Sequence, residues 1–240
     1  MSNKEIHLRH KRQRKALRIV LSFVGALVLA TAIAFAVAYK NVRNTVNAMY
    51  APATMQNKGR NLNSILSQKQ DLNVMLVGVD SHKSAQAVLL LNLDPKTNTT
   101  KATAVDSAKV VYNEKGVSSA AKAVSSKTNS PVDAYLTINV DALEKSINKE
   151  HGVTVNGTKM NGEQAVSFMK VQSESERDNH ILTVLTALLK QSASVSTLFN
   201  NDFLNSLGDE VQTNLNASQL SKIATGYAHA AENVNTNRID

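Results

Sequence analysis

Cysteine is absent from the 240 residues, which excludes a disulfide framework, a thiolate metal site and a cysteine nucleophile together. Acidic residues are almost missing from the start of the chain, where seven Lys or Arg and a single Glu fall within residues 1 to 18. That cluster carries most of the formal net charge of +8 and leaves about +2 on the other 222 residues. A basic balance suggests a nucleic-acid binder until the charge is mapped. Gathered directly before an apolar run, it reads instead as a tail facing anionic lipid head groups, and nucleic acid is not an expected partner.

Formal charge is missing altogether from Ile19 to Tyr39. These 21 residues, at about 1.5 Å each, reach roughly 30 Å, the thickness of a bilayer core. Lys4, Arg9, Lys11, Arg12, Arg14, Lys15 and Arg18 stand before the run and only Lys40 and Arg43 begin the far side, so the N-terminus is expected to stay in the cytoplasm. A cleaved signal peptide is the competing reading, because Ala34-Phe35-Ala36 and Ala36-Val37-Ala38 look like cleavage sites. The run is longer than the usual signal-peptide core, and Asn41 to Tyr50 continues as a helical stalk, which favours a retained anchor. The expected organisation is a basic cytoplasmic tail over 1–18, a membrane helix over 19–39, a stalk and linker over 40–70 with one solvated helix, and an extracellular domain over 71–240.

Within that domain, Leu72 to Val79 and Ala87 to Leu93 are nearly continuous apolar runs, short enough for strands buried on both faces. Asp94-Pro95-Lys96-Thr97-Asn98 is a hairpin-type turn leading to a strand over Lys101 to Val105. A helix is expected over Ser118 to Ser126, stopped by Pro131, then a strand over Ala134 to Val140 and a helix over Ala142 to Lys149 capped by Asp141. Gly152 to Val155 is a short strand, and Asn161 caps a helix over Gly162 to Met169. Ile181, Val184, Leu185, Leu188 and Leu189 make one apolar stripe on a helix from about Arg177 to Gln191. Two more helices are expected near Asp202 to Leu207 and Ser218 to Ala231. Strands alternating with helices predict a mixed α/β sandwich, a central sheet flanked by helices.

The order of short motifs resembles the LytR-CpsA-Psr family over roughly residues 72 to 225. Leu76-Val77-Gly78-Val79-Asp80 is similar to the family's first strand with its G-V-D ending, and Leu91 to Thr97 resembles its V-T-V-N-P-K-T turn. Pro131-Val132-Asp133-Ala134-Tyr135 resembles P-I-D-x-Y, Gly152-Val153-Thr154-Val155 resembles G-V-T-V, and Asn161-Gly162-Glu163-Gln164-Ala165 resembles D-G-x-x-A. The resemblance implies an exported enzyme that moves cell-wall glycopolymers from a polyprenyl-pyrophosphate carrier to peptidoglycan. It also implies arginine forks on the pyrophosphate and two aspartates, one in G-V-D and one in S-D-T, associated with Mg²⁺.

Most of those groups are replaced. Counted without gaps from the Pro95 turn, the second aspartate falls on Gln86, and the S-I-P-R-D arginine and aspartate fall on Ser107 and Ala108. The Arg-x-Arg pair falls on Lys170 and Gln172; in the R-x-x-R-Q run Arg177 is kept, while His180 and Ile181 stand for the second arginine and the glutamine. The candidate site is therefore Asp80, as catalytic remnant or metal ligand, with Arg177 and Lys170 as pyrophosphate-binding residues. Asp80 reads equally as a cap of the following turn. Glu174 or Glu176 are positioned to pair with Lys170 or Arg177, and His180 reads either as a modulator of that anion site or as only a polar helix residue. Losing four or five charge-assisted contacts, each about 1.5–3 kcal/mol, would remove most pyrophosphate affinity. The expected function is a pseudoenzyme that binds a lipid-linked polymer, peptidoglycan or an active relative. An active phosphotransferase using Mg²⁺ and an exported interaction domain without ligand are the alternatives.

Overall fold

Two apolar runs organise the molecule. Leu72–Val79 forms strand β1, buried at every position, and Ala85–Asp94 forms β2. They pair antiparallel with Leu76 opposite Leu89. Thr99–Val105 follows as β3, and Ala134–Asn139, as β4, runs parallel to β1 on its other side with Leu136 opposite Leu76. Val153–Val155 and Thr158–Met160, β5 and β6, pair with each other as a separate hairpin. Two polar segments complete the main sheet: Val211–Thr213, β7, pairs with β4, and Asn233–Ile239, β8, runs parallel to β3. The order is β7-β4-β1-β2-β3-β8. This computed structural model describes residues 49–149, 151–171, 210–231 and 233–239, with six further positions between 176 and 187.

Alternation along β1 and β2 builds two cores. Leu72, Val74, Leu76, Leu89 and Leu91 face one side with Ile147, Met169 and Ile181. Met75, Val77, Val88 and Leu90 face the other with Ala120, Ala121 and Val124. The latter belong to α2, Ser107–Thr128, which bends at Gly116 where φ is 75°. Opposite it lie α1 (Leu62–Ser67), α3 (Leu143–Lys149), α4 (Gly162–Met169) and α5 (Ala217–Gly226). A central mixed sheet flanked by helices is thus the fold, as the alternation of patterns predicts.

Several expectations are corrected. Residues 51–70, read as a linker, pack into the domain: Ala51, Ala53 and Met55 lie against the α2-side core, Ile65 and Leu66 are buried, and the Ala51 N–H donates to the Thr213 carbonyl at 2.8 Å. The segment is too polar to announce burial, which comes from the partners the sheet offers. The helix expected over Ser118 to Ser126 is present after the non-helical Gly116, and a further helical segment from Ser107 up to that kink was not expected, since it holds no strong apolar stripe. The last helix ends at Gly226, followed by a 3₁₀ turn over Ala228–Ala231. The stretches Ile19 to Tyr39 and Asp202 to Leu207 lie outside the described residues. Among those described, no helix is long and apolar enough to cross a membrane.

Asp133, just ahead of β4, ties three segments together. Its side chain is 0% exposed, and Oδ2 lies 3.3 Å from the Arg60 guanidinium. Oδ2 also accepts the Asn73 backbone N–H at 2.9 Å, while Oδ1 finds no hydrogen-bond partner among the described residues. Burial raises the Asp133 carboxyl above its ordinary 3.8, against the opposing pull of the Asn73 N–H and Arg60. A raised acid pKa means that the folded state holds the proton more tightly than the unfolded chain. The proton-linked part of its stabilisation is therefore complete below pH 3.8 and is lost as pH climbs through the raised folded value. Urea unfolding across pH 3.5 to 6.5 should show the stability of wild type relative to Asp133→Asn falling as pH rises; a flat or rising difference would refute this account.

Candidate functional site

Because β1 and β4 are parallel neighbours, their carboxyl ends share one edge of the sheet, where open α/β sheets commonly receive ligands. The Val140 N–H donates to the Val79 carbonyl at 2.8 Å, which carries the ladder past both strands. Beyond it Asp80, Ser81, His82, Gln86, Asp141 and Lys170 gather around a pocket of about 280 Å³, with Val140, Val166, Met169 and Ile181 as its apolar lining.

Asp80 leaves β1 and turns the chain back into β2. Its Oδ1 accepts the backbone N–H groups of His82 and Ser84, both at 2.9 Å, and Oδ2 accepts the Gln86 amide at 3.0 Å. The Asp80 N–H donates to the Ser84 carbonyl at 3.0 Å. The carboxylate that the sequence left between ligand and turn cap thus organises the turn. The Gln86 amide nitrogen sits between two acceptors, Asp80 Oδ2 and the Ser84 carbonyl at 3.4 Å. That environment fixes which end of the amide faces Asp80.

Lys170 ends α4, and the placement of that helix is legible residue by residue. Asn161 accepts the Gln164 N–H at 2.8 Å while the Gln164 side chain accepts the Asn161 N–H at 2.9 Å, a complete capping box. The Lys170 ammonium stands 3.0 Å from Asp141 Oδ1, a partner the sequence did not point to. Glu176 is exposed, and Glu174 lies outside the described residues. Asp141, expected as a helix cap, also accepts the Ser81 N–H through Oδ2 at 3.2 Å and holds Lys170 through Oδ1. Its own N–H is taken by the Asn139 side chain at 3.0 Å, which turns the carboxylate toward the pocket.

His180 is a helix residue, as expected, and is not among the described residues lining the pocket. Its ring stacks on Phe168 with centroids 3.8 Å apart, and Nδ1 donates to the Phe168 carbonyl at 2.6 Å. Arg177 and Gln172 lie outside the described residues. Ser107 and Ala108 start α2 away from the pocket lining, with Ala108 fully buried. Sequence reasoning missed Asp141 as a pocket residue; its position after β4, matching that of Asp80 after β1, was the available signal.

The pocket residues do not fit a magnesium ion. Mg²⁺ demands near-octahedral oxygen ligands at about 2.0–2.1 Å, with carboxylates among them. Asp80 already receives three N–H donors, the neighbouring position offers the amide of Gln86, and Asp141 is paired with an ammonium. Among the described residues, no three His, Asp or Glu side chains converge on a metal position.

These features define an α/β sandwich with a small polar pocket at the carboxyl ends of two parallel strands. The LytR_cpsA_psr family model matches residues 36–159 and 157–240, and the chain belongs to that family. It is 22% identical, over 96% of its length and 87% of the relative's, to the polyisoprenyl-teichoic acid–peptidoglycan teichoic acid transferase TagU of Oceanobacillus iheyensis. Among solved structures it resembles B. subtilis TagV, with a TM-score of 0.59 and 17% identity over 72% of this chain and 85% of that one. It also resembles TagT bound to LIIa-WTA, with a TM-score of 0.60 and 20% identity over 71% and 79% of the two chains.

Proposed function

We propose that this chain is a membrane-anchored cell-envelope protein that holds a lipid-linked anionic polymer without transferring it, a binding relative of the teichoic acid transferases. The relatives' names supply the ligand class, a polyisoprenyl-linked polymer bound for peptidoglycan. Ile19 to Tyr39 would be the anchor, with the basic tail cytoplasmic and the domain extracellular. One observation carries the non-catalytic reading: the Asp80 carboxylate is spent on its own turn and on Gln86. Three of its roughly four lone-pair positions are thereby engaged, which weakens it as a base toward an acceptor hydroxyl. Lys170 is the one permanent cation among the described residues lining the pocket, and we assign it, with Arg177 as the resemblance implies, to the phosphate groups.

The test is calorimetric titration of the full chain in detergent with a short-chain polyprenyl pyrophosphate. Saturable binding is expected, weakened at least about tenfold in Lys170→Ala, which removes one charge-assisted contact of about 1.5–3 kcal/mol. Asp141→Asn, which releases Lys170 from its carboxylate, should tighten binding. Transfer of the polymer to peptidoglycan, or no heat at all, would sink the reading.

A further inference from the structure

We infer that the Asp80 pocket takes its ligand without a divalent cation, and that Gln86 is the residue that decides this. The inference rests on the reading of the pocket as a ligand site. A carboxylate at the end of a strand becomes a hard-cation ligand when a second oxygen anion lies near it and its outward lone pairs are free. Here an amide occupies the second position. One N–H of Gln86 points at Asp80 Oδ2 at 3.0 Å and the other at the Ser84 carbonyl at 3.4 Å, so a donor fills the space that a cation would need. The Asp80 Oδ1 lone pairs are directed at the His82 and Ser84 N–H groups.

Positive charge in the pocket is provided covalently instead. The Lys170 ammonium stands 3.0 Å from Asp141 Oδ1, and Asp141 is itself held by the Ser81 N–H, from the turn that Asp80 closes. Asp80, Gln86, Asp141 and Lys170 thus form one linked polar set. A divalent cation beside Asp80 would compete with the Gln86 amide for Oδ2 and share the site with an ammonium. An anionic ligand approaching Lys170 meets a charge already in place.

Replacing the amide by a carboxylate removes the donor and supplies the second oxygen anion. Gln86→Asp should therefore create a divalent-cation site. The experiment is Mn²⁺ titration of the full chain, read by the loss of the free-ion electron paramagnetic resonance signal. It is repeated in Asp80→Asn, in Gln86→Asp, in Gln86→Glu and in the double variant Gln86→Asp with Asp80→Asn, each checked for a cooperative melt. Wild type is expected to bind no Mn²⁺ below about 1 mM, and Gln86→Asp to gain one site at least tenfold tighter. That site should vanish in the double variant. Mn²⁺ binding by wild type that Asp80→Asn abolishes would overturn the inference. So would folded Gln86→Asp and Gln86→Glu proteins that gain no site; if both fail to fold, the comparison of wild type with Asp80→Asn decides alone. Polyprenyl pyrophosphate plays no part in this readout, so its outcome is independent of whether the lipid-linked ligand binds.

Discussion

Asp133→Ala should lower the stability of the domain by about 3–4 kcal/mol, the size expected when one partner of a buried ion pair is removed. The loss has two sources. The Asn73 N–H, at the start of β1, loses the acceptor it has at 2.9 Å, and a buried orphan donor costs about 1–3 kcal/mol. Arg60 loses the closer of its two carboxylates, 3.3 Å from Asp133 against 3.9 Å from Asp71. Asp133→Asn keeps an acceptor for Asn73 and should lose less than half as much. Urea melts of the two variants at pH 7 would check this, and equal losses would show that the ion pair, not the hydrogen bond, holds the junction of β1, β4 and the α1 segment.

Gly162→Ala should destabilise by about 3 kcal/mol, the upper end of the usual range for overpacking. A Cβ built at Gly162 would overlap the Glu144 carbonyl oxygen and lie 2.7 Å from its carbon. Both are backbone atoms of α3, so no side chain can swing away. The Gly162 N–H also donates to Asn148 Oδ1 at 2.7 Å, which fastens the start of α4 to α3. Forcing the two helices apart would move Lys170, at the far end of α4, relative to Asp141. The neighbouring exposed Glu163→Ala should stay within about 0.5 kcal/mol of wild type. A Gly162→Ala protein that melts with wild type would mean that the helices slide past each other freely.

This glycine shows why the short motifs were readable. In Asn161-Gly162-Glu163-Gln164-Ala165, which resembles a family motif, most positions have a physical role. Asn161 and Gln164 close the capping box, Gly162 lets α3 approach, and Ala165 is fully buried. Gly152, in the G-V-T-V motif, has φ of 102° and a hypothetical Cβ only 2.6 Å from the Met160 carbonyl. Asp133 in the P-I-D-x-Y motif is the buried anchor just described. Such positions constrain the chain locally, so their residue types stand out even where overall identity is low.

Edge elements gave no such signal. β7 and β8 read Val-Gln-Thr and Asn-Val-Asn-Thr-Asn-Arg-Ile, with too little apolar alternation to name a strand. They are strands because β4 and β3 present unpaired backbone groups to them. The segment from Ala51 to Met55 is similar, docked by a backbone hydrogen bond to Thr213 and a cleft beside α2.

What the sequence determined by itself was whatever depends on neighbours along the chain: the uncharged run beside a basic tail, the doubly buried strands β1 and β2, and the capping box of α4. What the tertiary structure decided was the pairing of charges and the fate of lone pairs. Lys170 meets Asp141, and Asp80 is satisfied by Gln86 and its own turn, because parallel β1 and β4 bring residues 60 positions apart to one edge. A charge on a flexible side chain carries no record of its partner in the local sequence, and only the crossing of strands and helices supplies one.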